Sequence, residues 1–100
     1  MVTMARSSGA DPLILINTNS NANITLKNSQ MYDAGNGCIK AFPSSSQLTL
    51  SDVTLKSCNG VGVWARQINL DFDTITLADN VSTGFDFTAV TGSITNIDAT

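Results

Sequence analysis

The chain has no histidine and no glutamate, two prolines, one tryptophan and one tyrosine, and only 13% of its 100 residues are charged. Without His there is no Ser-His-Asp triad and no His-based metal site. Without Glu the sequence lacks the charged surface common on soluble helices, and all eight acids are Asp. The longest apolar run, residues 13–16, is far too short to span a bilayer or to form a signal-peptide core, so the expectation is no membrane partner and no export signal. The five cations, Arg6, Lys27, Lys40, Lys56 and Arg66, are scattered in a chain of net charge −3, which argues against a nucleic-acid partner. No metal site and no cofactor are expected. Cys38 and Cys58 form neither a C-x-x-C motif nor a zinc pattern, and they read as two separate buried free thiols rather than a disulfide.

What is abundant is short and polar. Twelve Thr, eleven Ser and ten Asn make up a third of the chain, and these residues favour strands, turns and caps over helix interiors. One hundred residues allow one small domain. Residues 1–12 lack apolar periodicity and read as a leader or cloning-derived segment, and residues 13–100 as the fold.

Internal repetition decides the architecture. Ile24-Thr25-Leu26, Leu48-Thr49-Leu50 and Ile68-Asn69-Leu70 align with starts 24 and 20 residues apart, each alternating apolar and polar side chains as a half-buried strand does. Seven residues after each start come Met31, Leu55 and Ile75, and three further on Ala34, Cys58 and Ala78. A third set follows a turn: Ile39, Val63 and Phe85 align, as do Ala41, Ala65 and Phe87, at spacings of 24 and 22. Residues 13–16 fit this set one period earlier, and Ile94-Thr95-Asn96-Ile97 opens another period in an ambiguous register. Three short strands per period of about 22 residues cannot bury their apolar faces singly, but stacked in parallel at about 4.8 Å they form continuous interior ladders. A β-sandwich would not require three ladders in a constant internal order.

This pattern, an I-T-L-like strand, a second apolar pair, an Asn/Gly turn and a G-[IV]-x-A-like strand, resembles the right-handed single-stranded parallel β-helix of the pectin-lyase-like superfamily, which includes pectate lyases, polygalacturonases and phage tailspike depolymerases. The resemblance covers residues 13–97 and carries no catalytic signature. It implies an all-β solenoid of about four coils, fewer than such enzymes usually carry, reading as a short segment truncated at its C-terminus. It also implies an extracellular or virion-associated protein. Terminal coils need covering, so the expected partners are adjoining coils or further copies in a homo-oligomer.

Three functions are open at this point: a structural and glycan-recognition segment, a polysaccharide depolymerase, hydrolase or lyase, and a self-assembling fibre module. If the third ladder points inward, Lys40, Trp64 and Asp86 stack outside with Phe42 and Arg66 beside them. Aromatic faces pack on pyranose rings while charged groups fix substituents, so these five are the candidate ligand-binding residues for a polysaccharide. The alternative is that Trp64 and Phe42 lie under a loop or in a protein interface. Asp71 and Asp73 are the only close carboxylate pair and the candidate catalytic residues, with Arg66 beside them and Asp52 and Asp79 on neighbouring coils. Asp is also the ordinary residue of β-helix turns, and the structural role is favoured for these four. Asn28, Asn36, Asn59 and Asn80 are expected to satisfy turn backbone. Ser44-Ser45-Ser46 reads as a turn excursion, with no base to make a serine nucleophilic.

Overall fold

The computed structural model describes residues 3–5, 13–16, 23–79 and 83–99. Asn80 and most of the expected leader lie outside them. Among the described residues nine strands follow in order: β1 Thr3–Ala5, β2 Ile14–Ile16, β3 Asn23–Ala34, β4 Ile39–Ala41, β5 Gln47–Cys58, β6 Val61–Arg66, β7 Asn69–Ala78, β8 Thr83–Thr88 and β9 Thr91–Ala99. The odd-numbered strands form one five-stranded parallel sheet in the order β1-β3-β5-β7-β9, and the even-numbered strands a four-stranded one in the order β2-β4-β6-β8. The chain is a parallel β-solenoid of about three turns with about 22 residues per turn. The described turns number about three, against the about four expected from the ladders.

The first two ladders of each coil run as one long strand bent at a corner. In β3, β5, β7 and β9 the bend falls at Asn28, Asp52, Thr74 and Asn96, all in the left-handed region with φ between 49° and 61°. A second corner is built the same way by Asp33, Ser57 and Asp79, and a third by Gln67 and Ala89. Each left-handed residue breaks the period-two alternation once, so consecutive inward side chains are three positions apart: Leu50 then Val53, Leu55 then Cys58, Ala65 then Ile68, all buried. A planar zigzag thereby closes into a triangular coil with apolar groups inside every edge.

The interior is a set of stacked columns. Ile24, Leu48 and Leu70 lie in register, as do Leu26, Leu50, Phe72 and Ile94, and Met31, Leu55 and Leu77. On the short sheet Ile14, Ile39, Val63 and Phe85 form one column and Ile16, Ala41, Ala65 and Phe87 the other. Phe72 is fully buried, with the Phe85 and Phe87 ring centroids at 5.8 and 6.1 Å.

The short-sheet columns follow the sequence alignment, whereas the long-sheet alignment slips by two residues in the third coil. Leu48 pairs with Leu70, not Ile68, and Leu55 with Leu77, not Ile75. Within one edge a two-residue slip keeps every side chain on its original face, so alternation alone does not oppose it; past the second corner it fails, and Ala78, aligned in sequence with Ala34 and Cys58, lies opposite Lys56 instead. Ile68 belongs to the third corner, three positions past Ala65. In the coil before it, residues 43–46 replace the left-handed residue by a longer excursion that returns with Ser46 inward and only 2% exposed. A polar residue at that inward place hides the column.

The cysteines correct the expectation of free thiols: Cys38 and Cys58 form a disulfide with Cα atoms 5.3 Å apart. Cys58 stacks directly on Ala34, and Cys38 lies just beyond Ala34 around the turn. A separation of 20 residues is therefore one coil less the width of that turn. In the chain-entropy account, a bridge closing a loop of this size stabilises by about 3 kcal/mol.

Next to the disulfide, Gly62 lies between Cys38 and Gly84, and a Cβ there would fall 2.5 Å from the Gly84 carbonyl oxygen. Replacing Gly62 by Ala forces two coils apart and is expected to cost about 2–3 kcal/mol. Thr74 is the one β-branched residue in the left-handed columns, where its neighbours in line are Asn or Asp. Thr74→Asn is expected to stabilise by about 1 kcal/mol. Urea unfolding of the two variants checks both signs; an unchanged midpoint for Gly62→Ala contradicts the close stacking.

Candidate functional site

The outer face of the short sheet carries the candidate ligand-binding residues. Strand alternation turns residues 15, 40, 64 and 86 outward in one column, because their neighbours on either side fill the interior. Arg66 and Thr88 pair two positions further along, and Phe42 lies one coil before Arg66. Phe42 presents its ring edgewise to Trp64 with centroids 5.0 Å apart. The Arg66 guanidinium lies over the Trp64 ring, its Cζ 4.2 Å from the centroid.

Arg66 is held from three sides. Its Nη2 is 3.1 Å from Asp86 Oδ1, and its Nη1 donates to the carbonyl oxygens of Asp86 at 2.8 Å and Ala65 at 3.0 Å. A partly exposed ion pair contributes at most about 1 kcal/mol, and a cation over an aromatic ring about as much. The larger consequence is positional: the guanidinium is fixed and its charge is locally neutralised, so Trp64 is held in place by its contacts with Phe42 and Arg66. Lys40, next to Trp64 in its column, takes part in no ion pair among the described residues. The structure thus gathers Phe42, Trp64, Arg66 and Asp86 into one contacting group, with Lys40 alongside.

Comparison with protein-family models, curated proteins and solved structures returns no match.

The candidate carboxylates lie on the other sheet. Asp71 and Asp73 occupy outward positions of β7, two residues apart and exposed. Asp73 sits just before the left-handed Thr74 and fastens that corner to the next coil: its Oδ1 accepts from Asn96 Nδ2 at 2.8 Å, Thr95 Oγ1 at 3.1 Å and Thr74 Oγ1 at 3.1 Å. These hydrogen bonds, Asn96's foremost, hold its carboxyl below the ordinary value. Arg66, named with these acids as a possible site, is engaged by Asp86 instead. Asp52 stands at the first corner, and Asp79 at the second, 4.0 Å from Lys56. Among the described residues no group of three or more Cys or Asp side chains is arranged to hold a metal ion. Asn59 serves the turn backbone, its Nδ2 donating to the Gly35 carbonyl one coil away at 2.9 Å.

One feature escaped the sequence reading. Past Phe42, the excursion of residues 43–46 overhangs the tighter third corners of the next two coils. Between them lies an open cleft of about 300 Å³ lined by Ser44, Ser45, Gln67, Asn69 and Thr91 among others. The signal was the period from Ile39 to Val63, 24 residues against 22 from Val63 to Phe85.

Because Asp73 ionises more readily in the folded chain, its corner contacts add stability above the unfolded carboxyl's titration, and that contribution fades as pH falls through the lowered folded value. A side-chain carboxyl NMR titration is expected to place the Asp73 midpoint below 3.8 and to move it up in Asn96→Ala. A midpoint at or above 3.8 contradicts the corner geometry.

Proposed function

We propose that this chain is a structural and glycan-recognition β-solenoid segment, of the kind found in tailspike-like and secreted proteins of pectin-lyase-like plan, working outside the cell or on a virion. The observation that carries this reading is Trp64, held in place on the outer face of the short parallel sheet. A polysaccharide needs a flat apolar surface for its ring face, and it binds more tightly when that surface does not have to be ordered first. Phe42 and Arg66 supply that ordering.

Two further observations support the setting. The buried Cys38–Cys58 disulfide fits a compartment in which disulfides persist. Ile94 and Ile97, inward positions of the last coil, are still 38% and 37% exposed, which favours assembly through that coil end, with adjoining coils or with further copies. The depolymerase reading gains no comparable support, since Asp73 is committed to its corner.

Titration with a panel of oligosaccharides, followed by Trp64 fluorescence, tests the reading, because the chain has a single tryptophan. A bound sugar is expected to change the emission, and Trp64→Ala to weaken binding, followed by calorimetry, about tenfold or more while leaving the fold intact. Retention of full affinity by Trp64→Ala, or no sugar binding by the parent chain, contradicts it.

A further inference from the structure

We infer that the ligand of the Trp64 face is a neutral oligosaccharide that passes from the aromatic ring around the third corner into the cleft beside Ser44 and Ser45. The inference rests on the glycan-recognition reading above and adds to it the charge class of the sugar and a second subsite.

Position comes first. Phe42 leads directly into the excursion that forms one wall of the cleft, and Arg66 leads directly into Gln67, which forms another part of it. The aromatic group and the cleft are thus consecutive along the surface, on two adjoining coils. No helix or further strand intervenes in the chain between them.

Chemistry comes second. Among the described residues the cleft is lined by hydroxyl, amide and aliphatic side chains, with no charged group. Ser45, Gln67, Asn69 and Thr91 are exposed, and together they can donate to and accept from sugar hydroxyls. Arg66, which leads into Gln67, already commits its charge to Asp86 at 3.1 Å. A polyanionic glycan would find no counter-charge in the cleft and would approach a chain of net charge −3. Lys40 lies two positions back along the strand from Phe42, on the side away from the cleft, so an acidic sugar held by Lys40 would leave the cleft empty.

Third, the wall is an addition relative to the two coils that follow. Coils without the excursion turn this corner with one left-handed residue, Gln67 or Ala89. The two additional residues are not needed to close the coil, and they create the overhang.

The test compares neutral hexasaccharides of glucan, mannan and galactan type, their disaccharides, and hexagalacturonate, by calorimetry on the whole chain. A neutral hexasaccharide is expected to bind best. The double change Ser45→Ala with Gln67→Gly is expected to weaken hexasaccharide binding about tenfold, as loss of two hydrogen bonds would, and to leave disaccharide binding on Trp64 unchanged. Glycine suits the left-handed φ of 48° at Gln67, and Ser45→Ala alone serves if the double variant loses stability. Hexasaccharide binding that survives the cleft changes but is lost in Trp64→Ala overturns this inference and leaves the glycan reading standing. A preference for hexagalacturonate over every neutral probe does the same. No binding by any probe overturns both.

Discussion

The coil depends on one backbone constraint, the left-handed residue at every described corner but the one formed by residues 43–46. A strand with strict alternation continues straight and buries one face only. A single residue with φ near +50° to +60° brings two consecutive apolar side chains to the same side three positions apart, and three such corners close the coil. These conformations are costly for residues with a Cβ, and in the first two corners the chain meets the cost mostly with the residue types that bear it best, Asn and Asp, Thr74 and Ser57 excepted. Asn28, Asn96, Asp33, Asp52 and Asp79 are in this sense a requirement of the shape. The corners also fix where side chains outside the coil can stand, because each restarts the alternation and so determines which residues of the next edge face solvent.

Much of this was legible in the amino-acid order. The short-sheet ladder of Ile39, Val63 and Phe85 aligns in sequence as it does in space, because a distinctive turn precedes each member. The long-sheet ladder slipped in the third coil because Ile68, Leu70 and Phe72 keep the same face under a two-residue shift. The marker that would have prevented the slip is the corner itself, aligning Asp52 with Thr74, and Thr is a poor advertisement for a left-handed residue. Ser46 concealed the equivalent of Ile68 in the same way. The disulfide was illegible for a different reason. Its geometry follows from coil register, and a separation of 20 residues has meaning only once the coil length is known.

The candidate site divides along the same line. Alternation alone turned Lys40, Trp64 and Asp86 outward, so their column was readable. The Arg66 guanidinium over Trp64, and its ion pair to Asp86, depend on contacts between coils that no periodicity encodes. Asp73 shows the converse: its spacing from Asp71 resembled a catalytic pair, while its partners Thr95 and Asn96 lie one coil later and make it a fastening of the corner. The cleft beside Ser44 arises where the repeat is broken, by an excursion that the two following coils lack. In a solenoid the regular part supplies rigidity, and the departures from regularity supply individual surface.

The most direct test of the corner-built solenoid is through-space NMR between side chains of successive coils. The structure requires contacts of Leu48 with Leu70, of Val53 with Ile75, and of Leu50 through Phe72 to Ile94. Contacts of Leu48 with Ile68 and of Leu55 with Ile75 in their place would contradict the register, and with it the corners and the surface built on them.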